Sequence, residues 1–438
     1  MIKNISLALS LSAAVVLTAC GGDVNKPKLE GERISINLKK SALVASPAAL
    51  ETSLRLPRTF KNETWSQTGG NAEHSYANLA LSEKVVSSWK NSLGGGNTKT
   101  KRLMSTPVYE NGAIFVANTD GEVFAISEEY GKELWDVEFE GKNGEDLANA
   151  PTLAVQNGKV FVTLSHGEVV ALSAETGEEV WNVSLDLPLR SAPAVDADHV
   201  YILAQNNSFY ALDVNTGALK WTHNGIEEQL AILGGPSAAI SSEGIVVVPY
   251  SSGEIYALNQ KNGGYLWYDA LSVNVGSDLY SSLVDVEASP VIADGIVYAV
   301  NHNGQLSAFD IKNGRRVWSV SLSATQMPWV AGSVVYIVTE NDELVCINRR
   351  DGLVRWIQDL SKLLEEDERF DDVYWSGPVL AGDRLFVTSS KGIVATLDPF
   401  DGKKVSSFDV GESVSLPPIV VDERLVILTD KARLITFK

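Results

Sequence analysis

An eleven-residue pattern that closes on tryptophan recurs along the chain and limits its architecture more than any other feature. Ala211-Leu212-Asp213-Val214-Asn215-Thr216-Gly217-Ala218-Leu219-Lys220-Trp221 shows it most fully, and it returns at 125–135, 171–181, 257–267, 308–318 and 346–356. A weaker copy runs from Thr396 through Gly402 to Phe408. Each copy reads as a small residue, an apolar and a polar one, three turn residues, Gly and an aromatic. The Gly permits positive φ at a hairpin and the Trp fills space between repeats.

Proline is a second marker, at Pro107, Pro151, Pro193, Pro236, Pro290, Pro328, Pro378 and Pro417. Lacking an amide donor, proline suits the first residue of a strand, so each is expected to open one. From each of the first seven prolines to the next repeat aromatic is 28 to 31 residues, room for four short strands. Turn signals divide these blocks: Asn111-Gly112 and Asp120-Gly121, Asn157-Gly158 and His166-Gly167, Asp294-Gly295 and Asn303-Gly304.

Repeats of this length, each a four-stranded antiparallel sheet, predict an all-β propeller, because a blade buries its faces only against its neighbours. Trp89, Trp135, Trp181, Trp221, Trp267, Trp318, Trp356 and Phe408 count eight blades. After Phe408 only three strands remain before Lys438, and the missing outer strand is available upstream at Val85-Val86-Ser87-Ser88-Trp89. Pairing the two would close the ring and leave no unpaired blade. The propeller is expected over 61–438, with the blade repeats at 85–438.

Charge and cysteine narrow the chemistry. With 36 Lys+Arg against 55 Asp+Glu the chain carries a formal −19, so a field attracting nucleic acid is absent. Cys20 and Cys346 cannot build a disulfide framework or a zinc site between them. At the N-terminus, Lys3 precedes an apolar stretch too short to span a bilayer. It ends in Leu17-Thr18-Ala19-Cys20, which resembles the bacterial lipobox. That resemblance implies a signal peptide over 1–19, acylation of Cys20 and a lipid anchor. Gly21 in place of Asp after the cysteine favours outer-membrane delivery, facing the periplasm. Residues 20–60 are expected to form the lipidated cysteine and a partly extended tether.

The Trp-ended repeat is similar to that of quinoprotein-type eight-bladed propellers over 85–438. Together with the leader, it resembles the outer-membrane protein assembly lipoproteins of the BamB family. That resemblance implies a non-catalytic, monomeric scaffold whose partners are the periplasmic domains of the barrel insertase BamA and other assembly-machine subunits, with unfolded outer-membrane protein chains a further candidate. The alternative on the same fold is a periplasmic quinone (PQQ)-dependent dehydrogenase. Such enzymes add an adjacent cysteine pair, calcium ligands and a central Trp. No adjacent cysteines exist here, no loop carries an Asp-x-Asp-x-Asp-Gly pattern, and only Trp65, Trp329 and Trp375 stand outside the repeat. Trp329 and Trp375 read as packing residues where inner strands begin, so no cofactor or metal is expected.

Other reactive side chains read as structural. His166 is expected in a turn slot that wants a residue tolerant of left-handed backbone. His74, His199, His223 and His302 lack metal or nucleophile spacing. Cys346 sits where other repeats have Ala and should be a small buried side chain. Glu365-Glu366-Asp367-Glu368 reads as a solvated loop.

Length variation is confined to the links from each aromatic to the next proline, 9 to 23 residues, and these emerge on one face of the disk, often the binding face of a repeat protein. Two carry motifs resembling the BamA-contact region of the family: Leu187-Pro188-Leu189-Arg190, and Asp285-Val286-Glu287 with Glu in place of the family's Asp. The resemblance implies one contact surface made by Leu187, Leu189, Arg190, Asp285 and Glu287.

Overall fold

The computed structural model describes residues 43–141, 144–189, 191–227, 235–271, 288–301, 304–364 and 373–438, all within one compact unit, Ser41–Lys438. Eight antiparallel sheets form an eight-bladed propeller, with strands ordered in sequence from the axis outward. Blade 1 holds Val108–Glu110, Ala113–Ala117, Glu122–Ser127 and Glu133–Glu138; blades 2 to 7 repeat this plan, ending with Lys404–Asp409. Blade 8 is built from Ile419–Val421, Arg424–Leu428 and Arg433–Phe437, and its outer strand is Ser87–Ser92. Trp89 pairs with Thr436, and Val86 and Lys438 exchange two 2.9 Å backbone hydrogen bonds. The expected closure is therefore observed.

The two middle strands of each blade read as nearly continuous buried runs, such as Ala113–Ala117 and Glu122–Ser127, because both faces meet a neighbouring blade. Outer strands alternate, and the repeat Trp is the position that turns inward. In all of these tryptophans but Trp356 the indole N–H then donates to a carbonyl in the third-to-fourth-strand hairpin of the next blade, as in Trp89 to Glu128 at 2.8 Å, Trp181 to Val214 at 3.2 Å and Trp318 to Arg349 at 2.9 Å. The hairpin glycine lies flat on the same ring. Gly217 has φ +69°, and a Cβ there would stand 2.7 Å from the Trp181 ring. This position thus needs Gly for room as well as for backbone freedom.

Seven of the eight marker prolines precede their inner strand. Pro378 departs from that expectation: it lies inside Trp375–Ala381, after a cis peptide bond, where the register slips between Ser376 and Val379. The irregularity accommodates the missing amide donor. The turn reading of His166 also needs correction. His166 and Asp120 are not left-handed; the glycines after them, Gly167 and Gly121, take φ +113° and +98°. In other blades that glycine slot is held by a left-handed side chain, as at Asn207 and Asp342, and the first-to-second-strand turns hold others at Asn111, Asn157 and Asp294.

Two faces follow from this plan. The connectors between blades and the second-to-third-strand turns share one face, here the connector face. The other hairpins share the opposite one, the hairpin face. Residues 43–86 lie on the hairpin face and in the axis. Pro47–Glu51 forms a 3-10 turn against blade 6, where Arg355 donates from Nη1 to the carbonyls of Ala49 (2.7 Å) and Thr52 (2.9 Å). The ordered body thus begins well before residue 61.

Candidate functional site

The axis of a propeller is where a ligand of this fold would sit, and here the chain itself fills it. Residues 62–79 travel once around the axis and touch the innermost strand region of every blade in ring order. Asn62 donates from Nδ2 to Val420 of blade 8 at 2.8 Å, and its carbonyl accepts from Asp422. Thr64–Trp65 adds a fifth strand to blade 1, with Trp65 opposite Tyr109. The Ser66 carbonyl accepts from Val155 of blade 2 at 2.7 Å. Gln67 grips blade 3 with both ends of its amide: Nε2 donates to the Val195 carbonyl at 3.0 Å and Oε1 accepts from the Val195 amide at 2.8 Å.

The clasp then turns. Gly69 and Gly70 have φ +69° and +95°, and Cβ atoms there would meet His74 and Tyr76 below 3 Å. Beyond the turn, the Ala72 carbonyl accepts from Ile240 of blade 4 and the Glu73 carbonyl from Ile292 of blade 5. Trp329 of blade 6 donates its indole N–H to Ala77 at 3.0 Å, and Leu79 donates its amide to Leu380 of blade 7 at 3.1 Å. Leu79 also bridges to Phe60, which ties the loop back on itself.

Inner strands have a free edge toward the axis, so each presents unpaired backbone groups that need partners. The clasp supplies them from one segment. His74, buried at its centre with φ 56°, holds the Pro290 carbonyl through Nδ1 at 2.8 Å. Among the described residues its Nε2 has no partner, and burial lowers its pKa to about 4, so the ring is neutral at pH 7.

Among the described residues a cavity of about 80 Å³ lies beside the clasp, opening toward the connector face and lined by Trp65, Thr68, Gly69, Met327, Trp329 and Pro378 among others. Cofactor sites usually measure ~300 to 1,000 Å³. The described residues at the axis therefore do not fit a quinone and its calcium ion. Among the described residues no group of three metal-ligating side chains comes together. Trp329 and Trp375 begin inner strands and are buried there, and Trp65, the third tryptophan outside the repeat, is central but is a clasp residue. Cys346 is fully buried, paired across the strand with Trp356, and burial pushes its thiol pKa up.

The connector between blades 2 and 3 is pinned at three points. Leu185 donates its amide to Gly167 at 2.9 Å, the Pro188 carbonyl accepts from Gln205 at 2.9 Å, and Leu189 bridges to Ala204. Gly167 lets the Leu187 backbone pass, since a Cβ would stand 2.7 Å from its carbonyl oxygen. Leu187 and Leu189 are half-buried, and Leu189 packs on the core between blades 2 and 3. They share the connector face, anchored there by backbone contacts. Arg190, Asp285 and Glu287 lie outside the described residues, as do Cys20, His302 and the acidic run 365–368. His166 faces Glu168 at 3.5 Å, His199 faces Asp196 at 3.5 Å, and His223 meets the Tyr250 hydroxyl at 2.6 Å. The clasp is what sequence reasoning missed. Its visible signals were the Gly69-Gly70-Asn71 turn and a Trp65 outside the repeat.

A family model described as outer membrane protein assembly factor BamB matches residues 80–154, 120–358 and 366–438. The protein of that name from Moranella endobia is 27% identical over 351 residues, 79% of this chain and 87% of its own. The one from Escherichia coli K12 is 28% identical over 384 residues, covering 78% and 86%. Among solved structures, BamB from Moraxella catarrhalis superposes with a TM-score of 0.69 at 19% identity, over 81% of this chain and all (100%) of that one. A quinohemoprotein alcohol dehydrogenase from Comamonas testosteroni reaches 0.67 at 14% identity, covering 86% and 81%. At these identities the structural likenesses establish the fold alone.

Proposed function

We propose, from the premise that this chain belongs to the family of the outer membrane protein assembly factor BamB, that it is a non-catalytic scaffold of the machinery that assembles β-barrel proteins into the outer membrane. The observation that carries the reading is the pairing of a family match along the whole set of blades with an axis occupied by residues 62–79. A quinone enzyme needs that axis open, and a scaffold needs only a rigid disk with a presentable face. Acylated Cys20 would hold the disk at the outer membrane, facing the periplasm. Leu187, Leu189, Arg190, Asp285 and Glu287 would meet the periplasmic domains of BamA, the apolar pair supplying anchors and the charges setting orientation.

The experiment is affinity purification of the tagged full chain from membranes. Recovery of BamA with the wild type, and its loss with Arg190→Ala combined with Asp285→Ala at an unchanged thermal melt, is the expected result. Retention of BamA by that variant would place the contact elsewhere on the disk. Copurification of a quinone chromophore would sink the scaffold reading. Cys20→Ser should abolish labelling by fatty acid.

A further inference from the structure

We propose that the hairpin face over blades 5 to 7 docks on a bilayer surface rich in anionic phospholipid, which turns the connector face away from the membrane. The proposal deepens the anchored-scaffold reading and rests on it. Chain entry is the first observation. Leu43, the first described residue, packs on the core shared by blades 5 and 6, and the Ser46 amide donates to Val354 of blade 6 at 2.8 Å. The chain from Cys20 therefore enters the disk at this sector. Its 23 residues span at most about 80 Å when extended, long enough for the disk to turn over, so the surface itself must set the orientation.

The surface at that sector has the chemistry to do so. Arg55 lies against the blade 6 turn at Ser333, its amide donating to the Ser333 hydroxyl at 2.9 Å, and Arg58 follows it. Arg315, Arg350 and Lys404 stand on the hairpins of blades 5, 6 and 7. All five side chains are exposed and make no ion pair among the described residues, in a chain of net charge −19. Val44, Leu50 and Phe400, exposed by 77%, 63% and 53%, lie on the same face. Free cations interspersed with exposed apolar side chains match a headgroup layer, where the first neutralise phosphates and the second enter the acyl boundary.

The described connectors of the opposite face are richer in carboxylates. Glu138, Glu140, Glu145 and Glu227 are exposed on its connectors, so an anionic bilayer repels it. Glu51 and Asp351 are exposed in the blade 5 to 7 sector too, but five cations without an ion pair outnumber these two carboxylates, so the sector stays positive and is the part of the described surface that such a bilayer attracts.

The test uses the acylated full chain on vesicles. Cys346 is buried and Cys20 carries the lipid, so Phe400→Cys and Ile226→Cys each accept one fluorophore, on the hairpin and connector faces respectively. With phosphatidylglycerol vesicles containing a lipid-borne quencher, the probe at 400 should be quenched and the probe at 226 should not. Arg315→Gln with Arg350→Gln, at an unchanged melt, should lower the bound orientation roughly 25-fold, about fivefold for each cation, and high salt should do the same. Equal quenching at both positions, or quenching indifferent to salt and to the double variant, would overturn the orientation while flotation with neutral phosphatidylcholine vesicles still reports the anchor. Flotation with neither vesicle would overturn both.

Discussion

Gln67 and Val195 lie 128 positions apart and exchange two hydrogen bonds, the glutamine amide imitating the strand that Val195 lacks. Ala194–Val195 is only two residues long, and this contact satisfies both backbone groups of Val195 toward the axis. Gln67→Ala leaves a buried N–H and C=O unpaired, at ~1 to 3 kcal/mol each. We expect a loss of about 2–6 kcal/mol in urea denaturation, and a loss below about 1 would show that water replaces the side chain.

Tryptophans of the repeat are not equivalent. The Tyr336 hydroxyl donates to the Pro399 carbonyl at 2.9 Å, and Trp356, whose ring lies beneath the same hairpin, has an indole N–H without a partner among the described residues. Trp318 keeps its bond to Arg349. Trp318→Phe should therefore cost about 1 kcal/mol more than Trp356→Phe. Trp221→Ala, which removes a whole buried ring, should cost ~3 to 5 kcal/mol. Equal losses for the two Phe variants would mean the indole bonds contribute nothing.

Gly112 and Gly217 both have positive φ, but a Cβ at Gly112 meets nothing within 4 Å whereas one at Gly217 meets the Trp181 ring. Gly112→Ala should cost only the left-handed backbone term, ~1 to 2 kcal/mol. Gly217→Ala adds an inter-blade clash, ~1 to 3 kcal/mol more. Thermal melts of the two variants separate the contributions.

His74 makes stability depend on pH. Its folded pKa is about 4 because of burial, against ~6.5 when unfolded, so between these values the unfolded chain binds a proton that the folded chain does not. Its contribution is complete above pH 6.5 and declines as pH falls toward 4, by about 1.4 kcal/mol per unit. His74→Asn keeps a donor for Pro290 and tolerates the left-handed backbone. Its denaturation midpoint should change less between pH 7 and pH 5 than that of the wild type, and an identical slope would assign the dependence to carboxylates.

The blades were legible because their signal is carried by side chains at a fixed period. Even the weak copy has a physical reason. Phe408 faces blade 8, whose outer hairpin is replaced by the two chain ends, so no hairpin carbonyl or glycine awaits an indole, and the ring packs instead on Phe437 at 5.0 Å. The clasp was illegible for the opposite reason. Apart from the side chains of Asn62, Gln67, Glu73, His74 and Asn78 it acts through backbone amides and carbonyls, which leave no residue pattern, and its partners are scattered from Tyr109 to Asp422. Leu189 shows the limit at the connector face: its spacing beside Leu187 suggests a contact residue, while its half-burial against the blade 2 and 3 core is set by the fold around it.

The clasp also imposes an order on synthesis. Residues 62–79 leave the ribosome before any blade they bind, and Val420 and Asp422, which hold Asn62, are among the last made. Ser87–Ser92 waits in the same way for Arg433–Phe437. A polypeptide that stops within the final blade is thus unfinished in two places, at the rim and at the axis, and both expose unpaired strand edges. Completion is reported by the whole ring or not at all, which makes a prematurely terminated copy conspicuous to proteases in a way that a chain of independent domains is not.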